Sequence, residues 1–365
     1  MNSAYFEINL ENFKHNLNTI KNYAKKDIIP VVKANAYGHG MIEIAKLCRN
    51  NGIGLIAVAF LSEANLLRNS GDTGEILLLV ENPLDNISHI VDLNLQSVLS
   101  DYDFAYKLNS EAKWKNTKVK CHIFLDTGMH RDGIDCQEAK EFISKVSELN
   151  NLEVIGLMTH FSSSEDADYT FTQSQIEKFK KQVDELKLEH LSYIHLQNSG
   201  GLIQFNIEFA NFVRPGISIY GLVPDERLKN SIDLKPILQL KAKIIRIKEL
   251  EQNEQAGYSF KFIAKRKSRI AFIPIGYGDG INTNLTNNWQ VEINKLLYPL
   301  VGSICMDQIL IDITDNPDIK IGDDVLVISN DIESEINVYK MAEKANVIPY
   351  DIITKLLPRL PRIYV

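Results

Sequence analysis

The 365-residue chain predicts an α/β fold in two parts, a (β/α)8 barrel over residues 1–232 and a mainly β domain over residues 233–365. Three observations predict it. Through the first part, strand-length apolar runs alternate with amphipathic helical patterns, the signature of parallel βαβ units. Eight such runs fall within about 220 residues, the number a closed barrel needs. Beyond Asp233 the runs shorten and are separated by turn-rich segments such as IGYGDG and DITDNPDIKIGDD, which is a β texture. An open doubly wound sheet is the competing topology, but the first strand lacks the G-x-G-x-x-G turn of such sheets.

Residues 4–10 alternate as a short strand, and residues 1–9 are free to pair with the C-terminal domain. Residues 11–26 place Phe13, Leu17, Ile20 and Ala24 at helical spacing, with lysines and asparagines on the other face. The first barrel strand, residues 28–32, stops at Lys33. The next seven are residues 55–60, 76–80, 96–99, 119–125, 154–159, 193–196 and 217–220. Helical patterns between them are clearest at residues 137–149 and 173–188. In the second part, residues 237–250, 268–275, 291–293, 309–313 and 325–328 read as strands, with one late helix at residues 338–345.

Composition narrows the function. A formal net charge of -7 argues against nucleic acid or an anionic membrane as the main partner. Cys48, Cys121, Cys136 and Cys305 lack paired metal spacing and read as reduced thiols of a cytoplasmic protein, with no metal site. The N-terminal stretch has no basic region followed by an apolar core, and no run approaches the roughly 20 apolar residues of a membrane span.

A barrel builds its active site where its strands end. Lys33 and Tyr37 follow the first strand, Asp126, Thr127 and Arg131 the fifth, and His160 ends the sixth. Asn198 and Ser199 end the seventh, and Arg214, Gly216 and Ile217 stand at the beginning of the eighth as drawn. A lysine at the mouth of a buried strand is costly to desolvate unless it is neutralised, paired or chemically used. Taken alone, it is more often the mark of a solvated strand end. Glycines next to Ser199 and Arg214 leave backbone N–H groups open, as a phosphate pocket requires. A phosphate pocket beside a desolvated lysine suggests pyridoxal phosphate, whose aldehyde bonds a lysine amine and whose ring is an electron sink.

The chain resembles the alanine racemases over nearly its whole length, in VVKANAYGHG, LDTGMHRDGI, THF, QNSGG, VRPGISIYGL, AGYSF, IPIGYGDG, VGSICMDQ and LPRLPRIYV. The resemblance implies a pyridoxal-phosphate enzyme that interconverts L- and D-alanine, works as a head-to-tail homodimer in the cytoplasm and supplies D-alanine for peptidoglycan. Lys33 would anchor the cofactor and act as the base on the D-side of Cα. Tyr258 would act on the L-side, reaching the site of the partner subunit. Arg131 and the backbone of Met306 would contact the substrate, and Tyr37, Ser199, Gly216 and Ile217 the phosphate. Arg214 would face the pyridine nitrogen with His160 beside it, while Tyr277 and Asp307 would line the entrance. A racemase for serine or a broader set of amino acids, an amino-acid decarboxylase and a single-barrel carrier of the cofactor are the alternatives. Tyr258 with the short ICMDQ segment favours racemisation of a small substrate, and Tyr258 with the second domain counts against the carrier.

One departure from the family stands next to the substrate arginine. Many members carry a carbamylated lysine where this chain has Phe124. A phenyl ring neither accepts a hydrogen bond from Arg131 nor carries charge. Another anion or carboxylate must serve, or Arg131 is held differently.

Overall fold

The computed structural model describes residues 3–365, and its internal contacts group the chain into two units. Residues 16–36 and 40–234 form one; residues up to 15, 37–39 and 235–365 form the other.

The first unit is a barrel of eight parallel strands: Asp27–Ile28, Leu55–Val58, Glu75–Leu78, Gln96–Leu99, Val119–Asp126, Leu152–Met158, Tyr193–His195 and Phe212–Val213. Backbone bonds close the barrel between the segment after the first strand and the second strand. Val31 pairs in parallel with Ala57, Val32 N–H donates to Ala57 O at 2.8 Å, and Ala57 N–H donates to Pro30 O at 2.9 Å. The strands are short and apolar because both faces are covered, and Ile56, Ala57, Leu77, Val98 and Ile123 are fully buried. Of the predicted helices, Leu10–Ala24, Ala139–Ser147 and Thr170–Leu186 form close to the expected limits.

The eighth strand is not where the apolar pattern puts it. Phe212–Val213 pairs with Asp27–Ile28 and completes the sheet, whereas Ile217–Tyr220 is a 3-10 helix. All four residues of that helix are buried, and an apolar run records burial without distinguishing a strand from a short helix. Pro215 removes a ladder donor just before it. The correction moves Arg214 to the C-terminal end of the last strand, among the other rim residues.

The second unit carries a nine-stranded sheet in which Ala4–Ile8 runs antiparallel to Leu238–Lys243 and parallel to Arg362–Tyr364. Phe6 and Ile8 point into its core, fully buried. The single run expected at residues 237–250 divides into Leu238–Lys243 and Arg246–Leu250, which lie in different parts of the sheet. A second late helix, Pro349–Thr354, starts on a proline that needs no N–H partner there and follows Val338–Ala345.

Tyr220 is fully buried, and its hydroxyl donates to Val31 O at 2.9 Å, tying the 3-10 helix to the segment that leads into Lys33. Tyr220→Phe removes the donor and strands a buried carbonyl. The expected loss is about 1–3 kcal/mol, read as a lower urea midpoint at an unchanged m-value.

Candidate active site

Lys33 follows the first strand, two residues beyond the bridge of Val31 to Ala57. Behind it, Ala34, Asn35, Ala36 and Tyr37 all have φ between 51° and 54°, a left-handed turn without a glycine. Such a conformation costs roughly 1–2 kcal/mol per residue, so the surroundings must hold it. Glu63 supplies much of that restraint. Its Oε1 accepts the Ala34 N–H at 2.6 Å, and its Oε2 accepts those of Ala59 at 2.8 Å and Phe60 at 3.1 Å. One carboxylate thus joins the turn after the first strand to the end of the second. Asn35 adds a bond from Met41 N–H to its Oδ1 at 2.9 Å. Burial pulls the Lys33 amine below its usual range, Arg131 and Arg214 push the same way, and Glu63 and Asp132 oppose them. The neutral, nucleophilic form gains.

Arg214, only 3% exposed, is the deepest cation of the site. Its Nη1 donates to His195 Nδ1 at 2.8 Å and to His195 O at 2.6 Å; its Nη2 donates to Thr159 O at 2.6 Å and meets His160 Nδ1 at 3.2 Å. Arginine only donates, so each ring nitrogen facing it must accept. The tautomers then follow in order. His195 carries its proton on Nε2 and donates to His122 Nδ1 at 2.7 Å, leaving His122 Nε2–H for Gln96 Oε1 at 2.9 Å. Gly156 makes room for this chain, since a Cβ there would lie 2.2 Å from His122 Nδ1. Burial first, and Arg214 second, hold His122, His195 and His160 below the usual imidazole range, His122 to about 3. Burial and Arg131 pull Arg214 down as well, to about 9, and it remains cationic at neutral pH.

Ser199 and Gly216 meet. Ser199 Oγ accepts the N–H of Gly216 at 3.0 Å and of Ser218 at 3.3 Å, and lies 3.0 Å from Ser218 Oγ. Asn198 orients this corner through Oδ1, which accepts from Gly201 N–H at 2.9 Å and from Ser164 Oγ at 2.7 Å. Ile217, fully buried, is the next residue along. Arg131 is half-exposed in the loop after the fifth strand, and its Nε donates to Asp132 Oδ2 at 2.8 Å.

The remaining predicted residues belong to the other unit. Tyr37 is buried there, its ring centroid 6.1 Å from that of Tyr350. Tyr258 is 70% exposed, on a turn where Ser259 and Phe260 have φ of 53° and 50°, and its carbonyl accepts from Ser303 Oγ at 2.9 Å. Tyr277 and Met306 are brought together by backbone bonds: Tyr277 N–H donates to Cys305 O at 3.0 Å and Gly278 N–H to Met306 O at 2.9 Å. Arg359 locks this corner. It grips buried Asp279 through Nε at 2.7 Å and Nη2 at 2.8 Å, and reaches Asp307 through Nη1 at 2.5 Å.

Sequence reasoning passed over Glu63, His122, His195 and Arg359. The two histidines left a signal, because each interrupts an apolar run, VKCHIFLD at residues 119–126 and YIHL at residues 193–196. Glu63 and Arg359 left none, each being an ordinary charge in a helix or a terminal segment.

Fold and site together define a barrel enzyme built around a desolvated lysine, with a β domain appended. Residues 8–224 match the family model described as "Alanine racemase, N-terminal domain", and residues 237–364 match "Alanine racemase, C-terminal domain". The chain belongs to the alanine racemase family. It is 36% identical to alanine racemase 1 of Clostridium acetobutylicum, over 99% of this chain and 95% of that protein. It is 38% identical to the alanine racemase of Halothermothrix orenii, over 99% of this chain and 96% of that one. Among solved structures, alanine racemase of Clostridium difficile 630 superposes with a TM-score of 0.95 at 32% identity, covering 100% of this chain and 96% of that one. Alanine racemase of Bacillus anthracis with bound L-Ala-P gives 0.91 at 30% identity, covering 100% and 95%.

The histidine chain sets an acid limit on stability. Folded His122 titrates near 3 and the unfolded side chain near 6.5, so between those values the unfolded state binds more protons. The contribution of His122 is fully present above pH 6.5 and is lost as pH drops towards 3, with a slope of about 1.4 kcal/mol per pH unit, and His195 and His160, lowered in the same direction, add to it. Urea midpoints of the apoprotein at pH 7.5 and 5.0 measure it, and equal midpoints would contradict neutral buried histidines.

Proposed function

We propose that this protein interconverts L- and D-alanine with pyridoxal phosphate, and that the observation carrying the reading is Lys33, desolvated at a barrel rim in the field of Arg131 and Arg214. The residues fit the cofactor. A phosphate needs N–H and hydroxyl donors, and Ser199, Ser218 and the Gly216 N–H converge at one corner. Lys33 offers an amine of lowered basicity for covalent attachment, and Arg214 a fixed cation for a ring nitrogen. Tyr37 and Ile217 are the further phosphate contacts in this reading. When bound, pyridoxal phosphate supplies an aldehyde that links amines and a ring that stabilises negative charge on the substrate Cα.

The chain's own groups supply the rest. Arg131, with Met306, holds the substrate carboxylate. The Lys33 amine takes or returns the Cα proton on one face, and the Tyr258 hydroxyl does so on the other. Inversion requires the two on opposite faces. Tyr258 is exposed in its own subunit, as a side chain contributed to the site of a second copy must be, and Tyr277 and Asp307 line the entrance in the same dimer. Arg214 cannot pass a proton to a ring nitrogen, since a guanidinium keeps its protons near neutral pH and both of its Nη groups are committed to carbonyls and imidazoles. A bound ring left without that proton would be a weaker electron sink, which would limit side transamination. Supply of D-alanine for peptidoglycan in the cytoplasm is the corresponding biological role.

The direct test is an absorbance spectrum of the purified holoenzyme combined with chiral analysis of its product from L-alanine. The reading expects a visible cofactor band that is lost in Lys33→Ala, and D-alanine as product. A band without D-alanine would move the reading to another amino acid, serine first. No band after reconstitution would overturn it. Tyr258→Phe is expected to cost about 10²- to 10⁴-fold in rate in both directions, and normal racemisation by it would refute the two-base assignment. Arg214→Glu is expected to raise the ratio of transamination to racemisation, measured as pyruvate against D-alanine.

A further inference from the structure

Arg131 is held by something other than the strand beneath it. Phe124, two residues before the strand's last, is 3% exposed and offers only apolar surface. The support comes from the loop itself. Asp126 closes the strand end: its Oδ1 accepts the N–H of Gly128 at 2.8 Å and of His130 at 3.1 Å, and its Oδ2 faces His130 Nδ1 at 2.9 Å. His130 then takes φ of 54° and Gly133 takes 99°. A Cβ at Gly133 would lie 2.7 Å from Asp126 N and 2.9 Å from Leu125 C, so only glycine lets the chain fold back onto the strand. Ile134–Asp135 completes the return by pairing with Leu125 and Asp126. Residues 131 and 132 are pinched at the tip, and Arg131 Nε reaches Asp132 Oδ2 at 2.8 Å.

We propose that Asp132 is the positioning residue of Arg131: it holds the guanidinium by Nε and leaves both Nη groups to grip the substrate carboxylate. Four observations converge on this. A guanidinium presents its donors in a rigid fork, so fixing Nε fixes the direction of the other edge. Among the described residues, Asp132 is the carboxylate bonded to Arg131, and no protein group is bonded to its Nη atoms. Glu63, the other carboxylate acting on Lys33, is committed to three backbone N–H groups. Asp132 also opposes the repulsion that Arg131 and Arg214 exert on Lys33, so it lies within the electrostatic reach of the lysine. An exposed pair of this kind adds little to stability. What it removes is the rotational freedom of a long side chain that binding would otherwise have to freeze.

The inference rests on the reading of Arg131 as the substrate-carboxylate contact, and the test separates the two. Holoenzymes carrying Asp132→Ala, Asp132→Asn, Asp132→Glu, Arg131→Ala and the Arg131→Ala/Asp132→Ala pair are titrated with L-alanine and L-serine by the cofactor's absorbance, and assayed for kcat and KM. Asp132→Ala and Asp132→Asn are expected to weaken amino-acid binding and raise KM about tenfold, with kcat within about threefold and an unchanged thermal midpoint. Asp132→Glu recovers most of the affinity. In the Arg131→Ala background, Asp132→Ala has no further effect. A merely structural role would lower the thermal midpoint and add to Arg131→Ala instead. Unchanged affinity in Asp132→Ala, or an equal effect with and without Arg131, overturns the proposal. Wild-type enzyme that binds amino acid but forms no D-alanine sinks the racemase reading, while the binding cycle still decides on Asp132.

Discussion

Arg214 sets the central constraint: a full positive charge is buried inside a barrel with no carboxylate hydrogen-bonded to it among the described residues. Desolvating a cation costs several kcal/mol unless every donor is satisfied. The structure meets that cost with carbonyl oxygens of Thr159 and His195 and with ring nitrogens of His195 and His160. A carboxylate would neutralise the guanidinium. Carbonyls and neutral imidazoles hold it in place and leave its charge acting on the site.

That choice spreads outward. Because Arg214 forces His195 to accept, the protons of His195 and His122 are fixed in one direction as far as Gln96. Strands four, five, seven and eight are therefore joined through polar side chains as well as through their ladders. Gly156 on strand six is part of the same arrangement, since any side chain there would collide with His122. The uncompensated charge also acts on Lys33, whose amine is less basic for its nearness to Arg214 and Arg131.

Lys33 is positioned by the strained turn behind it, and among the described residues no side chain is hydrogen-bonded to its amine. A left-handed turn of four residues persists because the barrel over-determines it, with Glu63 taking the Ala34 N–H while capping the helix Leu61–Asn69. The loop of Arg131 uses the same device. Positive φ at His130 and Gly133, held by the Asp126 carboxylate, presents a side chain at a strand end. In the other unit, the bond of Arg359 to Asp279 ties the terminal segment to the turn that carries Tyr277.

Much was legible in the chain itself. Seven of the eight strands, the β texture of the C-terminal part, and Lys33, Arg131, His160 and Ser199 as rim residues follow from apolar periodicity broken by a reactive side chain, which is local information; Arg214 reaches the rim only with the eighth strand at Phe212–Val213. The eighth strand was misplaced because Ile217–Tyr220 is apolar from burial alone, whereas Phe212–Val213 is only two residues long and carries no periodicity. The bond between His122 and His195 spans 73 residues and that between Glu63 and Ala34 spans 29, and no spacing rule relates such positions. Residue types and strand order were thus determined by the sequence. Which polar groups meet, and in which tautomer, was decided only when the barrel closed, because a hydrogen bond needs its partners within about 3 Å and only tertiary structure sets that distance.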